Sequence, residues 1–116
     1  MTKYEQGVLL RIFIGESDEY GGRPLHEAIV LKAREMSLAG ATVLRGPMGF
    51  GRSSRLHTAK ILRLSEDLPI VIEMVDTEAK IEQLIAATEA MLGSSLVTVE
   101  KVSVIRYGHN GGLSQE

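Results

Sequence analysis

Strand-like and helix-like stretches follow one another along this chain in an order that few folds accommodate. Alternating β-branched residues mark the strands, and apolar residues spaced three or four apart mark the helices. The predicted elements are a strand (8–14), a helix (24–39), two strands (41–44 and 68–75), a helix (77–92) and a strand (96–107). This β-α-β-β-α-β order predicts an α+β, ferredoxin-like sandwich, in which two helices cover one face of a four-stranded antiparallel sheet.

The helix ends carry their own signals. Pro24 suits a first helical position, because its missing N–H needs no partner there. Gly40 is predicted to end that helix. Asp76 or Thr77 can cap the second helix, which ends at Gly93. The apolar positions are Leu25, Ala28, Ile29, Ala33 and Met36 in the first helix and Ile81, Leu84, Ile85, Thr88, Met91 and Leu92 in the second.

The strands are more apolar than this architecture requires. Both alternating faces of residues 70–75 are largely apolar, and the second face of residues 8–14 still holds Leu9 and Phe13. Two helices can cover only one face of the sheet. Some exposed apolar surface is ordinary, but we expect the open face to be buried against other copies of the chain in a closed symmetric oligomer.

Length and composition exclude several classes of protein. The chain has 116 residues, which fit a single small domain (1–116), and its net charge is -2. A chain without a basic excess is not expected to bind nucleic acid. The absence of cysteine excludes disulfides and thiolate chemistry. No targeting segment or run of about 20 apolar residues is visible, so we expect a cytoplasmic protein without membrane insertion.

A segment rich in glycine and arginine, residues 45–58, follows the second strand. Glycines around one aromatic residue, Phe50, let successive backbone N–H groups point into one concavity, and such a nest binds anions. Arginines add charge and a planar geometry that suits phosphate oxygens. The residues concerned are Arg45, Gly46, Gly49, Gly51, Arg52 and Arg55. Composition alone favours, by a small margin, a flexible hairpin with solvated arginines, and the segment matches neither a Walker loop nor a dinucleotide fingerprint.

Three further features are ambiguous when taken singly. The turn at residues 93–95 could bind phosphate, although a helix stop followed by a turn explains it more simply. Arg106 near the end of the last strand is an ordinary surface cation on its own. Glu73 interrupts an apolar strand, so a partner or a position at an oligomer edge must offset the cost of burying it.

The sequence offers no catalytic or metal-binding set. His26, His57 and His109 do not have the spacing of metal ligands. Ser54, His57 and Asp67 occur in the chain, but nothing in their order brings a nucleophile, a base and an orienting group together. We therefore expect neither an enzyme nor a required cofactor or metal.

Taken in order, these motifs resemble the PII superfamily of trimeric nucleotide-sensing signal proteins. Residues 49–52, followed by 57–58, are similar to the opening of the PII T-loop, and residues 68–73 to the strand that returns from it. Residues 93–95 stand where the B-loop does, and 105–108 resemble the basic C-terminal strand end.

Other stretches narrow the resemblance to one branch. Residues 10–16, 40–46 and 62–69 look like the uncharacterised branch named domain of unknown function 190. The likeness extends from about residue 7 to residue 108.

The resemblance implies a homotrimer that holds an adenine nucleotide, as effector, in each cleft between subunits. Residues 45–67 would form a T-loop-like loop that meets a protein partner, a membrane transporter or channel being one candidate, and residues 108–116 a flexible tail. The implied nucleotide-binding residues are Arg45, Gly46, Gly49, Phe50, Gly51 and Arg52 at the loop base, Glu73 near the base or ribose, and Gly93, Ser94, Ser95 and Arg106 at the phosphates. The partner-binding residues would be Ser53, Ser54, Arg55 and His57.

The chain also departs from the PII pattern. No tyrosine stands at residues 59–63, where some PII proteins are modified. Leu96 replaces the B-loop lysine, and Val104 replaces one arginine of the last strand. The loss of two cations favours AMP or ADP over a triphosphate and argues against 2-oxoglutarate with magnesium.

Two alternative functions share the predicted topology, because a fold alone does not determine function. An amino-acid-binding regulatory domain would not need Arg52 and Arg106. A CutA-like trimer, associated with metal tolerance, would leave the nest at residues 49–52 unexplained. An RNA-binding module is disfavoured, since Phe13 is the only aromatic residue in the interior of a predicted strand.

Overall fold

The structure, a computed structural model, describes residues 3–50, 57–58 and 67–107. Its elements are, in chain order, β1 (Glu5–Gly15), β2 (Glu19–Tyr20), β3 (Arg23–Pro24), α1 (Leu25–Glu35), β4 (Thr42–Arg45), β5 (Met48–Gly49), β6 (His57–Thr58), β7 (Pro69–Asp76), α2 (Glu78–Leu92) and β8 (Leu96–Val104).

The main sheet has the predicted ferredoxin-like topology. Its strand order is β4-β7-β1-β8, and every pairing between neighbours is antiparallel. In the middle of the sheet, Ile12 of β1 lies opposite Ile72 of β7 on one side and Val97 of β8 on the other. The two helices pack on one face, so the α+β fold class is confirmed.

The core lies between the sheet and the helices. Side chains of β1 and β7 that point to the helices interleave with the apolar positions of α1 and α2, and the removal of each large aliphatic side chain from water stabilises the fold by about 1.5–3 kcal/mol. The most deeply buried of them are Leu10, Ile12, Ile29, Ile70, Ile72, Met74, Ile81 and Leu84. Thr88, the polar member of the predicted α2 face, is also fully buried, and its hydroxyl donates to the Leu84 carbonyl at 2.8 Å.

The ends of α1 differ from the prediction. Pro24 occupies the N-cap rather than the first helical position. The helix stops at Glu35, before Gly40, and Ser37 takes the left-handed conformation with φ +63°. The Ser37 and Leu38 amides donate to the Arg34 and Ala33 carbonyls at 3.1 and 3.0 Å, which is the pattern of a Schellman motif.

The start of α2 resolves the predicted choice between two caps. Thr77 is the N-cap, and its side chain accepts a hydrogen bond from the Lys80 amide at 3.2 Å. Asp76 instead ends β7, fully buried, where its carboxylate accepts from the amides of Ala39 and Thr77 at 2.8 and 2.7 Å. Asp76, the residue before the N-cap, thus links the segment that follows α1 to the end of β7.

The sequence predicts no element between the first strand and the first helix, but the structure has a small hairpin there. β2 and β3 pair across Gly21 and Gly22, which have φ of +63° and +81°. Two successive residues with positive φ are the signature of a type I′ turn, a conformation that glycine adopts without strain.

The sheet surface opposite the helices, called here the open face, is uncovered within one chain. The register aligns Leu44, Val71, Phe13 and Leu96 in one apolar row across all four strands. Leu44 and Leu96 are 46% and 62% exposed. This arrangement agrees with the expectation of a second apolar face.

Candidate functional site

The candidate site lies at the end of the sheet where β1 and β4 finish and β7 and β8 start. We call it the Gly15 end and define it by Gly15, Arg45, Pro69 and Leu96. Gly15 lies opposite Pro69, and Arg45 pairs one residue further along β7. The glycine-rich segment that follows β4 and the turn that precedes β8 therefore lie at the same end of the molecule.

Two of the predicted glycines pack closely on Pro69. The Gly46 amide donates to the Pro69 carbonyl at 2.8 Å. A Cβ on Gly46 or on Gly49 would lie 3.0 Å from the Pro69 ring, tighter than side chains ordinarily approach. Glycine is needed here for close approach, and the Gly46 amide is used within the fold rather than presented to a ligand.

The glycine-rich segment also takes part in a second, two-stranded sheet. β5 pairs with β6 through Met48 opposite Thr58 and Gly49 opposite His57. Phe50 is 71% exposed, so its ring is open to a ligand or a partner. The predicted site residues that lie outside the described residues are Gly51, Arg52, Ser53, Ser54, Arg55 and the side chain of His57.

Arg45 is already engaged by a carboxylate. Its guanidinium lies 2.5 Å from Glu16 Oε2. The Arg45 side chain is 57% exposed, whereas that of Glu16 is 25% exposed. The cation predicted to meet phosphate thus has an internal partner, and sequence reasoning did not identify it.

Acidic side chains hold the turn that carries Glu16. The Gly15 amide donates to Asp18 Oδ2 at 2.9 Å. The amide and hydroxyl of Ser17 donate to Asp67 Oδ1 at 3.1 and 2.8 Å. The Glu16 amide itself donates to the Leu68 carbonyl at 2.8 Å. Asp67, for which the sequence indicated no structural role, therefore ties the start of β7 to the end of β1.

Glu73 forms an ion pair, which offsets the cost of placing a carboxylate in an apolar strand. It lies on the open face opposite Arg11, whose Nε donates to Glu73 Oε2 at 2.9 Å. Arg11 also reaches Glu100 Oε1 at 3.3 Å. The hydrogen bond to Glu73 raises the pKa of the Arg11 guanidinium, and the two carboxylates act in the same direction. A sequence signal for this pair did exist, because each charge interrupts an apolar strand.

The second predicted turn follows the C-terminus of α2. Gly93 has φ +55°, and Ser95 donates to the Leu92 carbonyl through its amide at 2.9 Å and its hydroxyl at 2.5 Å. Ser94 is exposed. Both donors of Ser95 are thus used to close the helix, and the C-terminal end of a helix dipole favours cations rather than anions.

Arg106 lies at the other end of the sheet. β8 runs from Leu96, opposite Phe13, to Val104, opposite Glu5, and Arg106 follows two residues later. At about 3.3 Å per residue, the two ends of β8 are roughly 25 Å apart. One protomer therefore does not bring Arg106 to the residues of the Gly15 end.

The described part of the chain contains no group of three histidine or acidic side chains that could hold a metal ion. Nor does any helix within those residues have the length and apolarity needed to cross a membrane.

Solved structures with the same fold include PII-like proteins. CPII, a nitrogen regulatory PII-like protein from Thiomonas intermedia K12 whose structure contains ADP, AMP and bicarbonate, matches with a TM-score of 0.70 at 17% identity, over 91% of this chain and 94% of that one. A putative PII-like signaling protein from Thermus thermophilus matches with a TM-score of 0.65 at 16% identity, over 89% and 93% of the two chains. At this level of identity the comparison establishes a PII-like fold.

Sequence comparison gives the family. A UPF0166 protein of Aquifex aeolicus is 35% identical over 97 residues, which cover 84% of this chain and 91% of that protein. The model of the DUF190 family, described as "Uncharacterized ACR", matches residues 7–104. The chain therefore belongs to the DUF190 family.

Proposed function

We propose that this protein is a PII-like regulator that binds an adenine nucleotide, AMP or ADP, in clefts between the subunits of a homotrimer. The observation that carries the proposal is the fold shared with CPII, a regulatory protein solved with ADP and AMP bound. The nucleotide would act as an effector and undergo no bond chemistry.

The positions of the candidate residues support a cleft between subunits. Arg45, Phe50 and the 93–95 turn lie at the Gly15 end, whereas Arg106 follows the far end of β8. A ligand of nucleotide size could contact both groups only if Arg106 came from a neighbouring copy. The apolar row on the open face provides surface for such copies to bury.

The charges support a ligand with few phosphates. Leu96 is 62% exposed at the start of β8, where it offers no cation. Phosphate contacts would rest on Arg45, Arg52 and Arg106, since guanidinium groups bind phosphate oxygens in a bidentate manner. This set suits AMP or ADP better than ATP.

Signalling would proceed through order in residues 45–67. A nucleotide that contacts the start of this segment would favour one arrangement of the rest, and a protein partner would bind one arrangement better than the other. The ligand can shift that equilibrium only by its differential affinity for the two states, commonly about 1–3 kcal/mol.

Ligand screening tests the proposal directly. Ligands that bind the native state raise its melting temperature, so AMP or ADP should give the largest shift in a panel that also contains ATP and amino acids. Calorimetry should then show that Arg106→Ala weakens ADP binding about tenfold or more, through loss of a charge-assisted contact. Arg34→Ala, which removes an exposed arginine of α1, is the matched control and should bind as the wild type does.

The alternative of an amino-acid ligand gives the opposite result. It predicts that amino acids stabilise the protein, that nucleotides do not, and that Arg106→Ala leaves binding unchanged. That outcome would refute the nucleotide proposal.

A further inference from the structure

The ion pair between Glu16 and Arg45 lies at the Gly15 end of the sheet, where the phosphate of a nucleotide is proposed to bind. Arg45 is the last residue of β4, directly before the glycine-rich segment. Its guanidinium lies 2.5 Å from Glu16 Oε2, which comes from the turn after β1.

Glu16 is held in place by its neighbours. Its amide donates to the Leu68 carbonyl at 2.8 Å, and the residues on either side are fixed by Asp18 and Asp67. A Cβ on Gly15 would collide with the Asp67 carboxylate, so the approach of Asp67 depends on glycine at that position. These hydrogen bonds fix the conformation of the turn, so the Glu16 carboxylate is held next to Arg45.

A carboxylate and a phosphate compete for the same guanidinium donors. Both bind arginine through a planar pair of N–H groups, and two anions on one guanidinium repel each other. We propose that Glu16 is a built-in competitor for the phosphate contact of Arg45. This inference rests on the proposed function, because a nucleotide would have to displace Glu16 before its phosphate could contact Arg45.

The pair is weak enough to be displaced. Arg45 is more than half exposed, and ion pairs at such positions contribute little net stability. Glu16 would thus lower the affinity for nucleotide without preventing binding. The opposite role, in which Glu16 positions Arg45 for the ligand, predicts an effect of opposite sign.

The test is a calorimetric titration of ADP into the wild type, Glu16→Gln, Arg45→Gln and the double variant. Glu16→Gln should bind ADP about two- to fivefold more tightly, the range that an exposed ion pair allows. Arg45→Gln should bind more weakly, and Glu16→Gln should add nothing in that background. Glu19→Gln, which removes the same charge from exposed β2, should match the wild type.

The outcomes distinguish a failure of the competitor role from a failure of the proposed function. If the wild type binds ADP and Glu16→Gln binds equally or more weakly, Glu16 is not a competitor, and the proposed function stands. If neither binds a nucleotide, the proposed function fails, and titration of inorganic pyrophosphate decides the competitor role: tighter binding to Glu16→Gln supports it, and equal or absent binding overturns it. Should Glu16→Gln fail to fold, Glu16→Asp, whose shorter side chain reaches Arg45 less well, carries the same expectation.

Discussion

Two charged residues, one in each central strand, form an ion pair with each other. Arg11 and Glu73 each interrupt an apolar strand, and the antiparallel register places them side by side on the open face. The hydrogen bond to Glu73 raises the pKa of the Arg11 guanidinium, so the group stays charged up to strongly alkaline pH. Stability that depends on this charge is present below that pH and lost only above it, so Arg11 itself adds no pH dependence near neutrality.

At the residue scale, Gly15→Ala should destabilise the protein by about 1–3 kcal/mol. The new methyl group would collide with the Asp67 carboxylate, which would have to turn away from Ser17 and lose its two hydrogen bonds there. Urea denaturation followed by circular dichroism measures the loss.

Gly40→Ala is the control for that prediction, because a Cβ on Gly40 meets nothing within 4 Å. Its unfolding midpoint should stay near that of the wild type or rise slightly. Equal unfolding midpoints for Gly15→Ala and Gly40→Ala would contradict the expected collision between a Cβ at residue 15 and Asp67.

At the scale of elements, the C-terminal end of α1 was the least predictable feature. The end of α1 uses Ser37 in a left-handed conformation, with Leu38 partly buried against the core behind it. Glycine propensity pointed to Gly40 instead. The helix stops where Leu38 can pack against the core. The preference for glycine at helix ends carries no information about this packing.

The same geometry predicts that Ser37→Gly stabilises the protein by about 0.5–1 kcal/mol, because glycine adopts positive φ without the strain that a Cβ causes. Thermal unfolding should show a raised midpoint. Ser37→Ala keeps the Cβ and should show no gain, and equal effects of the two variants would contradict the argument.

For the whole molecule, the open face is the main feature that one chain leaves unexplained. Its row of Leu44, Val71, Phe13 and Leu96 crosses the sheet beside the Arg11–Glu73 pair. Apolar rows of this kind are covered in closed oligomers. The proposed cleft requires that Arg106 of one copy meet the Gly15 end of the next.

We expect Leu44→Glu to disrupt the assembly, since a carboxylate would lose its hydration in an apolar interface. Leu31→Glu on α1 is a close control, because Leu44 and Leu31 are 46% and 45% exposed in one chain. Sedimentation velocity should find the wild type and Leu31→Glu as trimers and Leu44→Glu as smaller species. A monomeric wild type would contradict the proposed cleft.

The sequence by itself determined the order of the main elements, the side of each that faces the core, and that α2 is capped at Asp76 or Thr77. These features depend on residues a few positions apart, so periodicity and capping reveal them. It also indicated Glu73 as a residue in need of a partner, but not which partner, since Arg11 lies 62 positions away.

Only the tertiary structure decided which polar and charged side chains meet. Ser17 and Asp67 are 50 positions apart, and the partner of Arg45 comes from the turn after β1. Long-range side-chain contacts are set by strand register and turn geometry, which local pattern does not encode. For the same reason the separation of Arg106 from the 93–95 turn follows only from the pairing of β8 with β1 from one end of the sheet to the other.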